Sequence, residues 1–317
     1  MVGKRPIGRS GMAVTPLAFG GNVFGWTADR RASFELLDRC VALGIDLIDT
    51  ADSYSRWVAG NVGGESETLI GEWLAARGCR QRVIIATKCG LEVAAGESGL
   101  SRAYVFRAVD RSLARLRTDY IDLYQAHCDD PNTPLEETLG AFADLIRSGK
   151  VRAIGASNYS APRFAAALAI SRQLGLPRFE CLQPHYNLLV RNDFEATLAP
   201  LCAVESIGVI PYFALASGFL TGKYRQPADL TGSARAARMG DLLTTRNLAI
   251  LAALDAVAVT LNATPAQIAL AWLMARGVTA PIASATSTAQ LDEQIGALHL
   301  TLDPAALARL DIASGST

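Results

Sequence analysis

The sequence predicts an α/β chain folded as a closed (β/α)8 barrel, a TIM barrel, and three observations carry that expectation. Eight short, near-continuous apolar runs recur along the chain, with stretches of helical spacing between them. Polar residues stand at the ends of nearly all of these runs, as they do where parallel strands open into a lined site. No G-x-G-x-x-G string follows an early run, which counts against an open doubly wound sheet.

The elements follow in order. About fifteen residues precede the first run and are expected to form an N-terminal hairpin under the barrel. The strands read as "PLAFGG", "IDLIDTA", "VIIATK", "YIDLYQAH", "VRAIGAS", "FECLQPHYN", "GVIPYFAL" and "APIASAT". The helices between them read from "RASFELLDRCVALG" and "SETLIGEWLAARG" through to "RNLAILAALDAVAVTL", "TPAQIALAWLMARG" and "TAQLDEQIGAL". Capping residues open several of them and Gly closes others, as at Ser160 before Ala-Pro and at Gly44. The length beyond a plain barrel falls in a long loop from Ser217 to Thr245 and a tail after Leu300. We expect one domain over residues 1–317.

Thirty basic residues balance thirty acidic ones, so no net field draws nucleic acid or an anionic membrane. The start, "MVGKRPIGRSGMAV", has no apolar h-region, and windows such as "IALAWLMA" fall far short of the ~20 residues that cross a bilayer. A soluble, cytoplasmic protein is expected. The six cysteines are scattered without a C-x-x-C pair and read as reduced thiols that fill the core. "GFLTGKY" approaches a phosphate-binding loop but is one residue short, with Tyr where Ser or Thr would hold magnesium.

The strand ends give Gly20 and Gly21, Asp49 with Tyr54, Lys88, His127, Ser157 with Asn158, Gln183, Tyr212 and the turn at 284–287. Singly, each has a plain explanation as a cap, a packed ring or a solvated charge. Together they suit acid catalysis. A tyrosine, with an ordinary pKa of ~10, is protonated at neutral pH but a sluggish donor. A nearby Lys88 ammonium is expected to lower that pKa, and Asp49 to keep the ammonium charged. His127 would orient the same reacting oxygen. No metal is expected. A metal-dependent hydrolase built on Asp49, His127, Asp129 and His185 is the weaker rival, since no His-x-His pair or carboxylate cluster marks one strand end.

The stretches "DLIDTADSY", "ATKCG", "DLYQAH", "IGASNYS", "LQPHYN", "SGFLTGKY" and "AQLDEQIGAL" resemble, in order, the aldo-keto reductase superfamily. Within it the chain looks most similar to bacterial oxidoreductases related to the potassium-channel β subunits. The resemblance covers roughly residues 5 to 312 and implies an NAD(P)H-dependent enzyme that interconverts a carbonyl and an alcohol. It makes Asp49, Tyr54, Lys88 and His127 the catalytic set, with Tyr54 as general acid. It also implies that Ser157, Asn158 and Gln183 hold the nicotinamide carboxamide and that Tyr212 stacks on its ring. Leu215, Ser217, Gly218, Leu220 and Lys223 would fold over the pyrophosphate, with Gly21, Asp49 and Phe213 also at the cofactor. Phe213 departs from the small residue usual after the stacking aromatic.

At the adenosine end the resemblance puts Ser284, Thr286, Ser287, Gln290 and Gln294. No cation stands between Ser284 and Gln294 to pair with a 2′-phosphate. A neutral turn of this kind still holds NADP(H) in the channel-subunit branch, so NADP(H) is expected, with NAD(H) the alternative. Lys223, Arg225, Arg235, Arg238 and Arg246 are candidates for phosphate contacts. Substrate contacts are expected from Phe24, Tyr54, Trp57, His127 and the 217–245 loop, with Trp57 either a pocket wall or an anchor for its Gly-rich loop. The partner is then a small carbonyl or alcohol. A cofactor-binding redox sensor with slow turnover is the second reading.

Overall fold

A computed structural model of the chain describes residues 3–231 and 236–315, the side chains of residues 237 and 238 aside. Strands β1 (Arg5–Pro6) and β2 (Ala13–Val14) pair antiparallel as the N-terminal hairpin. Eight parallel strands follow: β3 (Ala18–Gly20), β4 (Leu47–Asp49), β5 (Ile84–Cys89), β6 (Ile121–Ala126), β7 (Val151–Ser157), β8 (Phe179–Gln183), β9 (Gly208–Val209) and β10 (Ile282–Ala283). From β3 to β9 each pairs with the next, and β10 pairs with β3. The ring closes where Thr279 N donates to Val209 O (2.7 Å) and Ile282 N to Pro211 O (2.9 Å). The (β/α)8 barrel expected from the sequence is therefore the fold.

Strand periodicity sorts the apolar residues into two cores. Leu47, Ala86, Leu123, Ala153, Cys181 and Ile210 point into the barrel, where Ile7 and Val14 of the hairpin plug the lower end. Their neighbours Ile48, Ile85, Tyr124, Ile154 and Leu182 point outward against the helices. Both faces of each strand are buried, which is why the runs are nearly continuous and do not alternate with polar residues. Two steps further along the inward rows, the residues turn polar: Leu47 leads to Asp49, Ala86 to Lys88, Leu123 to Gln125, Ala153 through Gly155 to Ser157, and Cys181 to Gln183. The same period that fills the core thus aims this polar set at the barrel's upper mouth.

The helices form where they were expected. Asp29 caps Arg30–Leu43 by accepting from Ala32 N (2.8 Å), and Gly44 ends it at φ 76°. Ser160 caps Ala161–Leu174, and Thr264 with Gln267 forms a capping box before Pro265–Ala275. No single described helix is long and apolar enough to cross a membrane; the apolar pair Thr245–Leu261 and Pro265–Ala275 is bent by 93°.

Two regions differ from expectation. The 217–245 loop holds 3-10 turns at Ala216–Thr221 and Pro227–Leu230 and a helix at Ala236–Leu242. The tail after Leu300 contains a further helix, Pro304–Ser314, capped by Asp303 with Pro at its first turn. It docks through Asp311, which accepts from Trp272 Nε1 (3.0 Å), while the guanidiniums of Arg191 and Arg276 each lie 5.1 Å from the Trp272 ring.

Candidate active site

Asp49 ends β4, and the chain turns at once. Thr50 N donates to Ala86 O and Asp52 N to Lys88 O, so the turn stays pinned to β5. Tyr54 N donates back to Ala51 O, and Ser55 takes φ 73°. This tight path brings Tyr54 over the barrel axis from the same segment as Asp49.

Lys88 is fully buried, and its three ammonium protons are all used. Nζ donates to Asp49 Oδ2 (2.7 Å), Thr50 O (2.8 Å) and Tyr54 OH (2.9 Å). Tyr54 OH also lies 3.3 Å from Asp49 Oδ2, and Gln183 Nε2 donates to Asp49 Oδ1 at 2.8 Å. Asp49, Tyr54 and Lys88 are thus in mutual contact. Next to Lys88, Thr87 donates to the buried Glu67 (2.5 Å), which Arg115 also engages (2.7 Å). Glu67 sits on helix Glu65–Arg77, whose Gly71 lets it approach closely: a Cβ there would come within 2.0 Å of Arg115 O.

The electrostatics differ from the sequence expectation in one respect. Burial pushes the Tyr54 phenol well above its ordinary range, reinforced by the charge and hydrogen bond of Asp49. The expected acidification of Tyr54 by Lys88 is not what the site shows: desolvation sets the direction, and it is upward. Burial likewise lowers the Lys88 pKa, opposed by Asp49. His127 follows β6, with its N–H on Cys89 O (2.8 Å). Burial first, and Lys88 second, hold its imidazole well below the usual range, so it is neutral. Its Nδ1 is buried without a hydrogen-bond partner among the described residues. The His127 and Tyr54 rings meet edge-on at 6.0 Å.

These groups open into a cavity of about 950 Å³ at the upper mouth, near the top of the ~300–1,000 Å³ usual for ligand pockets. Asp49, Tyr54, Trp57 and His127 line one part of it. Ser157, Asn158, Gln183 and Tyr212 line the wall beside them. Asn158, at φ 55°, donates to His127 O (2.9 Å) and accepts from Tyr212 OH (2.9 Å); Ser157 Oγ donates to Gln183 O (2.8 Å). His185 stacks behind Tyr212 at 5.1 Å. The following loop contributes Phe213, Leu215, Ser217, Gly218 and Lys223, and the last strand and helix contribute Ser284, Thr286, Gln290 and Gln294.

Several expected residues sit elsewhere. Lys88 lies beneath the floor and meets the cavity through Tyr54 and Asp49. Phe24 is fully buried, stacked on Phe19 at 5.4 Å, because the turn after β3 points it down into the core. Gly21 is buried with its carbonyl on Ser66 Oγ (2.8 Å); Gly20 lines the cavity instead. Leu220 packs in the outer core. Ser287 caps helix Thr288–Ile295 and does not face the cavity. Arg225 is held by Asp255 through two 2.8 Å bonds, and Arg246 reaches Leu189 O and Ser314 O. Arg235 and the side chain of Arg238 lie outside the described residues. Of the rival hydrolase set, Asp129 is engaged by Arg163, and no group of three or more metal-ligating side chains forms among the described residues.

Sequence reasoning missed Asn22, Trp26, Thr27 and Glu293, all in the lining, while Tyr224 belongs to the 217–245 loop expected there. Trp26 carried a legible signal, a large aromatic two residues beyond the one chosen, but only the turn geometry decides which of the two faces the mouth.

The aldo/keto reductase family model matches residues 16–314. Similar proteins include aldo-keto reductase AFTS1 of Alternaria alternata, 34% identical over 93% of this chain and 87% of that one. Another is the uncharacterized oxidoreductase YrpG of Bacillus subtilis, 33% identical over 96% of this chain and 94% of its own length. The L-glyceraldehyde 3-phosphate reductase of Escherichia coli is also 33% identical, over 97% of this chain and 91% of its own. With the barrel, the mouth geometry and these matches in agreement, the chain belongs to the aldo/keto reductase family.

Proposed function

We propose that this oxidoreductase uses NAD(P)H to interconvert a small aldehyde or ketone with the corresponding alcohol, Tyr54 acting as the general acid. The observation that carries the reading is the three-way contact of Tyr54 OH, Lys88 Nζ and Asp49 Oδ2 beneath an open cavity. When bound, the nicotinamide supplies the hydride that adds to the carbonyl carbon and is itself oxidised by two electrons. Tyr54 gives its proton to the carbonyl oxygen. Lys88, already donating to the phenol oxygen, stabilises the phenolate left behind. Neutral His127 donates to or orients the same oxygen without competing for its charge.

The residues present fit a dinucleotide. Amides and hydroxyls of Ser157, Asn158 and Gln183 stand beside Tyr212 for the nicotinamide end, and Lys223 offers a cation at the loop. Gln294 Oε1 is buried without a partner among the described residues at the far end, an acceptor that a nucleotide amine would satisfy. NADP(H) is favoured through the neutral turn at Thr286 and the N-terminus of helix Thr288–Ile295; the Glu293 carboxylate on that helix works in the other direction. Parallel fluorescence titrations with NADPH and NADH measure the balance.

Tyr54→Phe tests the central role. The variant should bind the cofactor as the parent does and reduce aldehydes about 10²–10⁴-fold more slowly. Undiminished turnover would refute the assignment of Tyr54.

A further inference from the structure

From the loop that follows β8 we infer that Asn187 is a positioning residue for the cofactor: it lies behind the cavity wall and fixes the pose of Tyr212 and of the segment beyond it. The inference rests on the reductase reading of the same site and adds a residue to which that reading gives no role. Asn187 is 1% exposed and is not part of the cavity lining. Its Nδ2 donates to Phe213 O (2.9 Å) and lies 3.4 Å from His185 Nε2. Its Oδ1 accepts from the backbone N–H groups of Leu189 (2.8 Å) and Val190 (3.1 Å).

Phe213 is where the backbone needs such a partner. Its φ of 53° is left-handed, a region that a bulky side chain enters only at a cost. Ala216, Ser217 and Gly218 follow at 47°, 59° and 102°, so the chain leaves Tyr212 through a largely left-handed turn. Ala216 N closes that turn on Phe213 O (2.7 Å), and the Asn187 amide is a second donor on the same carbonyl. Two donors hold this peptide plane, and the turn with it. Both flanks of the turn reach the cavity. Before it stands Tyr212, with its N–H on Pro184 O (3.0 Å) and its ring parallel to that of His185. After it Leu215, Ser217 and Gly218 face the same space. Asn187 can hold the turn because its own loop is fastened from outside. Arg246 reaches Leu189 O (3.3 Å), and Arg191 forks Glu195 while donating to Ser314 Oγ (2.8 Å) of the C-terminal helix. One buried amide thus ties a rigid loop to a strained one, as a support behind a binding wall must.

The test titrates NADPH and NADH by fluorescence into parent, Asn187→Ala and Asn187→Ser proteins, follows the tighter nucleotide, and measures kcat with that nucleotide saturating. Serine keeps an oxygen for the loop N–H groups but is too short to reach Phe213 O. Affinity should fall about tenfold in both variants, while kcat changes by less than about threefold. Adding Phe213→Gly to either variant should restore most of the lost affinity, because glycine holds the left-handed turn without strain. A packing defect elsewhere would not be repaired in this way. Parent-like affinity in a folded variant, a fall in kcat as large as the fall in affinity, or no recovery with Phe213→Gly overturns the inference and leaves the reductase reading intact. Failure of both Asn187 variants to fold would make the residue one of stability alone and overturn it too. A parent protein that binds neither nucleotide would sink the reductase reading, and the inference with it.

Discussion

Each end of this barrel holds an aspartate only 1% exposed, and the two ends surround it with opposite chemistry. At the lower end, Asp122 of β6 is 1% exposed. It accepts from Arg80 (2.7 Å), Arg152 (2.9 Å) and the backbone N–H of Ile85 (2.9 Å). The two guanidiniums sandwich Tyr120 at 3.9 and 4.1 Å. At the upper end, Asp49, also 1% exposed, faces Lys88, Tyr54 and Gln183. A guanidinium is a rigid fork that keeps its proton, so the lower cluster fastens strands and does nothing else. An ammonium and a phenol can both give up protons, and burial has already moved both from their ordinary values. The same fold therefore places a fixed clamp under its core and a labile one over it, the difference lying in which cations face the carboxylate.

The sharpest way to break the comparison is to remove one cation above and the anion below. Lys88→Met should cut carbonyl reduction by roughly three orders of magnitude, or ~4 kcal/mol in the barrier. Asp49, 1% exposed, keeps the Gln183 bond but loses its counter-charge, so the loss in kcat should come with a stability cost of about 3–5 kcal/mol. Asp122→Ala should lower stability alone. It leaves Arg80, 13% exposed, without its carboxylate and costs about 3–5 kcal/mol of stability. The kcat of the folded protein should stay near the parent value. Steady-state kinetics and urea unfolding on both variants decide the matter. Equal effects on kcat would mean that the two ends are coupled and that the contrast drawn between them is wrong.

Much of this contrast was legible in the residues. The barrel strands are apolar on both faces, and that composition marks them without any tertiary knowledge. Asp49, Lys88 and Gln183 sit an even number of places beyond inward apolar residues, so their direction also follows from strand period. What could not be read depends on the turns and on burial. Phe24 and Trp26 lie on one short turn, and its path sends the first into the core and the second to the cavity. The helix Pro304–Ser314 had a visible signal in Asp303-Pro304 and the apolar residues Leu307 and Leu310, but it lies outside the repeating strand–helix pattern. The Tyr54 phenol was expected to be acidified by a neighbouring ammonium. Its actual direction is set by desolvation, a sum over the whole surroundings that no local spacing encodes.

The smallest effect sharpens the comparison at acid pH. His127 belongs to the upper end, and its pKa in the folded chain lies well below the ordinary 6.5, through burial and then the charge of Lys88. Below pH 6.5 the unfolded chain takes up a proton at this residue while the native chain does not. The unfolded state then binds more protons, so stability falls as the pH drops, by at most ~1.4 kcal/mol per pH unit, until the folded pKa is reached. Above pH 6.5 both states are neutral and the contribution vanishes. Urea midpoints at pH 7.5 and 5.5 measure the slope, and His127→Phe should flatten it by about 1 kcal/mol, since Nδ1 has no hydrogen bond to lose among the described residues. If parent and variant lose stability equally on acidification, the imidazole is not held neutral, and the upper end tolerates more charge than its burial implies.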